Sequence, residues 1–533
     1  MPASPSTARA INDRLALGLL QERGPLTAGQ LKQLTGLSRP TVADLVERLT
    51  AAGLVRVVGE SGAARRGPNA RLYGIVADGA FLAALDVRTD GVVVLVADLV
   101  GRVLAEASVP VDGGAGTGPA VERVVAAVER AAKEAGAERL HTVGIGAPGL
   151  IDPATGDLRD SAGLPAWHRS LAAALQERLP GARITVENET NLAALAEQRE
   201  GAARDRDTFV LLWLGHGTGA AVVLDGVLRR GASGGTGEIG FLPVPGTSSL
   251  PSATDCGGGF HALAGAAAVL SLAAAHGLPT PAVVDGPSAA GVVRAAVRNA
   301  SATGASAAGG TATEGRPGKA PTGERAGRGA AEPGGGPVPV PGAGPSAAEG
   351  GPGAGEGVAG RAPGGGAGAR FVAAEGGPGS RDVVGGRSTG AAGAGSVAGV
   401  EPPARGSSAD EGVPVRAGRD GAPSVSPPPD RQPAGAGDAG ARFLAALADG
   451  VAVGAASVVA VLDPGCVVLG GEVGRAGGEV LAGLVAERLA RLSPLPTEVR
   501  AGGLGGSAVL RGALLTARDR AQDELWSGRQ SRP

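Results

Sequence analysis

The chain has 533 residues, 43% hydrophobic but only 2% aromatic, with 95 glycines, 39 prolines and a formal charge of −2. Two cysteines, Cys256 and Cys466, exclude a disulfide framework, and the start has no apolar run behind a basic end, so no secretory signal is expected. The Ala-rich run 262–275 is too short to span a bilayer, so a cytoplasmic protein with no membrane contact is expected.

Charge is unevenly spread. Residues 1–73 hold ten Lys/Arg against five Asp/Glu, a net of +5, while the remainder of the chain is net −7. That basic segment contains PLTAGQLKQLTGLSRPTVADLVERLTAAGLVRV over residues 25–57. Thr27 with Gln30 three residues on predicts a capping box and a short helix. Leu31, Leu34 and Leu37 supply its buried side, and Thr35-Gly36-Leu37 a turn. Ser38 caps a second helix, in which Pro40 is tolerated because first-turn N–H groups have no helical partner. Val42, Leu45, Val46 and Leu49 form one apolar stripe. Arg39, Thr41, Ala43, Asp44 and Arg48 are left on exposed faces. Strands at 54–58 and 71–75 then flank a Gly-rich tip carrying Arg65 and Arg66, as in a wing. Ser38, Arg39, Pro40, Thr41 and Arg48 are the candidate DNA contacts of a recognition helix, and Arg65 and Arg66 those of the wing. A plain three-helix bundle explains the helices, but not the capped turn, the wing and the charge together.

An alternation of strands and helices follows. Strands are expected at 81–87, 92–99, 102–111, 141–146, 183–187, 208–214, 217–224 and 227–230, with an Asp225-Gly226 hairpin turn. Helices are expected at 121–135, 169–179 and 191–201. This order predicts an α/β fold in two lobes with a central cleft. The span 299–433 is made largely of Gly, Ala, Pro, Ser, Arg and acidic residues, with no leucine and one aromatic, Phe371. Such a composition does not repay chain entropy, so it is expected to be disordered, an excursion between helices at 291–298 and 439–456. Order is expected to return with 458–462, a strand at 466–469 and helices at 480–492 and 507–519.

Six segments, in order, carry a family resemblance. They are VGIGAPGLID (143–152), GLPAW (163–167), VENETNLAALAE (186–197), LGHGTGAAVVLDGVLRRGASGGTGEIG (214–240), CGGG (256–259) and LDPGCVVLGGEV (462–473). Together they resemble the ROK family of repressors, open reading frames and sugar kinases, over about 10–298 and 437–520. The family's kinases lack a winged helix, so its presence points to the repressor branch. The resemblance implies a winged helix-turn-helix at 1–76 and a two-lobed actin-like, ribonuclease-H-like sugar-kinase-type domain in two parts, 77–298 and 434–520. The 299–433 insertion separates them, and 521–533 is a tail.

The resemblance also implies site residues, taken here one by one. The phosphate loop DxGGT stands as Asp86-Val87-Arg88-Thr89-Asp90, which keeps only the aspartate. Gly215-His216-Gly217-Thr218-Gly219 and Gly470-Gly471 are intact. The catalytic aspartate becomes Glu189, a methylene longer, so phosphotransfer is expected to be lost. Asn188, Glu189 and Glu238 are the candidate effector contacts; Asn188 and Glu238 serve equally well as structural hydrogen-bonders. Phe241 and Leu263 replace polar sugar contacts. Of the family's zinc ligands only Cys256 and His261 have counterparts, with Thr254 and Phe241 in the other places, so no metal and no other cofactor is expected.

The sequence thus leads to a DNA-binding regulator, most simply a repressor, acting as a homodimer or higher oligomer on a double-stranded inverted repeat. Its kinase-like domain is expected to sense a sugar-like effector and not to be an enzyme. The alternatives are an ATP-dependent sugar kinase with a DNA-binding extension, and a scaffold without effector.

Overall fold

The computed structural model describes residues 5–61, 70–111, 116–159, 164–252, 254–309 and 436–528. The wing-tip arginines Arg65 and Arg66, and the expected insertion from residue 310 to 433, lie outside the described residues.

The first helix, α1 (Pro5–Arg23), is followed by β1 (Leu26–Thr27), α2 (Ala28–Thr35), α3 (Arg39–Ala51), β2 (Val55–Ser61) and β3 (Ala70–Ile75). The capping box forms as expected: Gln30 N donates to Thr27 Oγ1 at 3.2 Å and Thr27 N donates to Gln30 Oε1 at 2.9 Å. Gly36 closes α2 at φ 69°, a left-handed conformation that glycine adopts without strain. Val42, Leu45, Val46 and Leu49 are buried beneath α3. Leu34, expected inside, is 37% exposed, because Leu31 with Leu37 already covers the face turned to α3. The antiparallel sheet runs β1-β3-β2, with Leu26 opposite Tyr73.

Two further sheets share one plan. In the first lobe β4 (Phe81–Arg88), β5 (Gly91–Asp98), β6 (Val103–Pro110), α4 (Thr117–Glu134), β7 (Leu140–Ala147), α5 (Trp167–Arg178) and β8 (Arg183–Asn188) give the strand order β6-β5-β4-β7-β8. The helix α6 (Glu189–Glu200) leads to β9 (Phe209–Leu214), β10 (Thr218–Leu224) and β11 (Val227–Arg229). The short α7 (His261–Ala264), α8 (Ala266–Ala275), α9 (Gly286–Gly309), α10 (Ala436–Leu462), β12 (Cys466–Gly470), α11 (Gly471–Leu492), β13 (Glu498–Ala501) and α12 (Ala508–Gly528) follow. The second sheet runs β11-β10-β9-β12-β13. In each, three antiparallel strands meet a parallel pair. The central strand β9 is buried at every residue, and β4 at all but its two ends, as expected where both faces of a sheet are covered. Asp225 (φ 55°) and Gly226 (φ 74°) form the expected hairpin turn.

Three differences from the sequence reading have physical causes. First, 458–462 is the last turn of α10, and α9 runs past Arg298 to Gly309, because the two pack against each other in one apolar core with Val293, Phe443, Leu447 and Val451. Second, the helix expected from 480 starts at Gly471, broken at Gly478 (φ 53°). Third, α12 reaches Gly528; Ala521 and Trp526 at its end join the core that contains Leu17, Leu31 and Leu45 of the winged helix. Among the described residues α10 alone is long and apolar enough to cross a membrane, and half of its most apolar window is buried within the fold.

The winged helix is docked on the first lobe by polar ties. Gln21 Nε2 donates to the Val100 carbonyl at 3.0 Å, while Gln522 Nε2 donates to Gln21 Oε1 at 2.8 Å and to the Leu99 carbonyl at 2.9 Å. Arg14 pairs with Asp523. At its other end, α12 lies close on α6 and β7 through Gly512 and Gly144, where a side chain would strike the carbonyls of Leu192 and Ala513.

Candidate nucleic-acid interface and ligand cleft

The N-terminus of α3 is held by its cap. Thr41 N donates to Ser38 Oγ at 3.3 Å, and the two hydroxyls lie 2.8 Å apart. Ser38 and Thr41 are therefore engaged with each other, and with Pro40 they shape the end that Arg39 crowns. Arg39 is exposed and has no ion-pair partner among the described residues. Arg48 is differently placed. It donates to Asp13 on α1 at 2.6 Å and also pairs with Asp44. Asp13 is only 5% exposed, so this pair ties the recognition helix to α1. Arg48 thus braces α3 against α1, while Arg39 faces solvent at the other end of the helix.

The cleft opens where β8 passes into α6. Asn188 is the N-cap of α6: its Oδ1 accepts from Thr190 N (2.9 Å) and Asn191 N (3.2 Å), and its Nδ2 donates to the Gly149 carbonyl at 3.0 Å. Its Oδ1 caps α6 and its Nδ2 holds the 149 loop. Glu187 accepts from Asn191 Nδ2 at 2.9 Å and from Arg230 Nε at 2.6 Å. Glu189, at the first turn of α6, has no hydrogen-bond partner among the described residues. Burial, then the charges of Asp86 and Glu472, push its carboxyl up to about 8 against the pull of Arg88. Glu238 keeps more than a third of its surface open, yet the surrounding walls strip enough water to raise its carboxyl as well.

Asn188, Glu189 and Glu238 line a cavity of 840 Å³ with Trp213, Thr218, Phe241, Cys256 and His261. Thr218 Oγ1 is buried there without a hydrogen-bond partner among the described residues. Sequence reading named Asn188, Glu189 and Glu238, placed Thr218 only within the glycine turn 215–219, and missed Trp213, whose strand position carries no motif of its own. Leu263 is not part of the wall: it packs beside Gly450 of α10.

The phosphate end of the cleft is occupied by the chain's own charges. β4 and β5 close directly, with Arg88 opposite Gly91, so Thr89 and Asp90 form the turn where the kinase pattern carries its glycine and threonine. Arg88 donates to Asp86 Oδ2 from Nε (2.9 Å) and Nη2 (2.7 Å), and from Nη2 to the Gly506 carbonyl at 3.1 Å. Asp86 is 2% exposed; its burial raises its carboxyl, and Arg88 opposes that. Glu472, at the start of α11, fills the intact glycine turn: a Cβ on Gly215 would lie 2.7 Å from Glu472 Oε2, and one on Gly286 3.1 Å. Its carboxyl is raised by burial. Glu472 directly follows Gly470-Gly471, so its position was visible in the sequence although its role was not. The carboxyl groups of Asp86 and Glu472 and one committed arginine make a poor seat for a triphosphate.

The donor set does not fit a structural zinc. Cys256 and His261 are both in the cavity wall, but Phe241 is apolar and Asp255 Oδ1 is taken by Gly257 N at 2.8 Å. No group of three or more His, Cys, Asp or Glu able to hold a metal occurs among the described residues.

Known proteins are similar to this chain in two regions. Residues 82–275 match the ROK family and residues 11–67 the MarR family. A xylose repressor of Caldicellulosiruptor bescii is 25% identical over 240 residues, covering 44% of this chain and 59% of that protein. The Escherichia coli DNA-binding transcriptional dual regulator NagC is 26% identical over 251 residues, covering 44% of this chain and 58% of that protein. A glucokinase of Thermotoga maritima is 38% identical over 102 residues, 19% of this chain and 32% of the enzyme. The chain therefore spans less than 60% of the length of these curated relatives. A crystal structure described as a ROK family transcriptional regulator, homologous to the E. coli Mlc protein, superposes with a TM-score of 0.57 at 15% identity, covering 98% of this chain and 99% of that one.

Proposed function

Since the chain carries a ROK-family domain behind a MarR-type winged helix, we propose that it is a sequence-specific DNA-binding transcriptional regulator, a repressor, whose kinase-like domain senses a ligand and does not transfer phosphate. The observation that carries this reading is Arg39, exposed and without an ion-pair partner among the described residues at the Ser38-capped end of α3, where a recognition helix meets base edges. Ser38, Pro40 and Thr41 fix the height and angle of that end, and Arg65 and Arg66 supply phosphate contacts from the wing. The regulator works in the cytoplasm as a homodimer or larger homo-oligomer on an inverted repeat.

The effector sits in the 840 Å³ cavity. Glu189 and Glu238 meet its polar groups, Thr218 Oγ1 offers a further hydrogen bond, and Phe241 and Trp213 favour a sugar-like molecule with a less polar side. Asn188 supports the site from behind through the Gly149 loop.

A second reading, an active sugar kinase with a DNA-binding extension, is favoured by one observation. A carboxyl raised to about 8 is close to what a general base at neutral pH requires. Against it stand Arg88 and Glu472 at the phosphate end. A paired experiment separates the two. The purified full-length protein is titrated with genomic fragments in excess random duplex, and assayed for ATP consumption with hexoses and aminosugars. Selective DNA retention without turnover is expected. Sugar-dependent turnover that disappears in Glu189→Gln would replace this reading with the kinase.

A further inference from the structure

Helix α1 is apolar on two opposite faces. Asp13, Ala16, Leu17 and Leu20 are turned inward and buried. On the other side Ile11, Leu15, Gly18 and Glu22 follow one another at spacings of four, three and four residues, one stripe of a helix, with Arg14 and Leu19 beside it. Ile11 is 58% and Leu15 45% exposed, and these residues line one shallow depression on the surface. Gly18 is the second anomaly. Glycine inside a helix weakens it relative to alanine, and among the described residues no atom beyond the backbone of its own helix turn and its chain neighbours lies within 4 Å of where its Cβ would stand. Packing within the molecule therefore does not ask for glycine here; a second helix crossing at that point would.

We propose that this face is where two copies of the chain meet, α1 against α1, antiparallel about a twofold axis at Gly18. The charges are self-complementary in that arrangement alone. Arg14 lies four residues before Gly18 and Glu22 four after it, so the axis sets Arg14 of each copy opposite Glu22 of the other. A parallel pairing would set like charges together. Leu15 of each copy enters the notch between Gly18 and Glu22 of the second, and the missing side chain lets the backbones approach. Arg14 already pairs with Asp523 of its own chain, and a guanidinium with five N–H donors accommodates both carboxylates. Asp523 thereby holds Arg14 at the rim, ready for the second copy. The patch is small, so it aligns two copies that are already close, and by its position on α1 it fixes the separation of two recognition helices. This extends the dimeric reading of DNA proposed above, and it is tested without DNA, so its failure leaves that reading standing.

The experiment is disulfide trapping of the full-length chain carrying Cys256→Ala, with Gly18→Cys placed on the axis and Glu479→Cys as an exposed control elsewhere. Gly18→Cys should form a covalent dimer under mild oxidation faster than the control. Adding Glu22→Arg should slow the trapping by at least about tenfold, because like charges then face each other. Mixing that protein with Gly18→Cys carrying Arg14→Glu should restore it, since the swapped charges complement one another only across copies. Circular dichroism reports whether each variant folds; if Arg14→Glu does not, the Glu22→Arg arm decides. Trapping no faster than the control, or unaffected by Glu22→Arg, overturns the proposal.

Discussion

Arg39 and Arg48 lie on one helix and have different work. Arg48 is committed to Asp13 and Asp44, whereas Arg39 is turned to solvent without a carboxylate. Replacing Arg39 by alanine should therefore leave the fold intact and cost roughly 1–3 kcal/mol on the specific site if it reads a guanine. Fluorescence anisotropy on specific and random duplexes checks this: the loss should be larger on the specific one. In the cleft, Glu189 makes a pH prediction. A carboxyl whose folded pKa lies above its unfolded value stabilises the fold while it is protonated. That contribution is complete below about 4.5 and is lost as the pH rises through about 8. Glu189→Gln keeps the shape and removes the titration. The variant should match the wild type in thermal unfolding at pH 4.5 and exceed it at pH 9 by about 2–3 kcal/mol. Equal curves at both pH values would show that Glu189 is fully solvated.

Elements formed by local chemistry were legible in the sequence, and those formed at long range were not. The capping box at Thr27, the cap at Ser38 and the Asp225-Gly226 turn depend on neighbours within a few residues, and each lies where it was expected. The two-residue β1 exists only because β3 passes beside it, and the short β13 only because β12 does. The same holds in the cleft. Glu189 was nameable from its motif, but the closure of the phosphate end by Arg88 joins residues 418 apart in sequence, and Asn188 became a helix cap once α6 was seen to begin at Glu189. The ion pair of Arg48 with Asp13 on α1 likewise joins residues 35 apart in sequence, beyond the reach of a local motif. The cap at Ser38 carries its own prediction. Ser38→Ala removes the acceptor for Thr41 N and should cost about 1 kcal/mol of stability. It should also loosen DNA binding, because the end of α3 that Arg39 occupies frays. Unchanged thermal unfolding and affinity would show that Pro40 alone holds that end.

At the scale of the molecule, the winged helix and the first lobe are joined through α12, which starts at Ala508 just after Gly506 of the cleft and ends against α1. The helices α9 and α10 pack together in the second lobe on either side of residues 310–435. A chain in which 310–435 is replaced by a short Gly/Ser turn should therefore remain soluble and unfold at the same temperature within a few degrees. Aggregation, or loss of DNA binding, would give that segment a structural or regulatory part. The claim on which the rest depends is that this chain reads a DNA sequence. It is tested most directly by selecting bound duplexes from a random library with the full-length protein and repeating the selection with Arg39→Ala. The wild type should enrich an inverted repeat whose half-sites lie about one helical turn apart, or a multiple of that, and Arg39→Ala should relax the preference within each half-site. A wild-type pool that remains as random after selection as before it would contradict the claim.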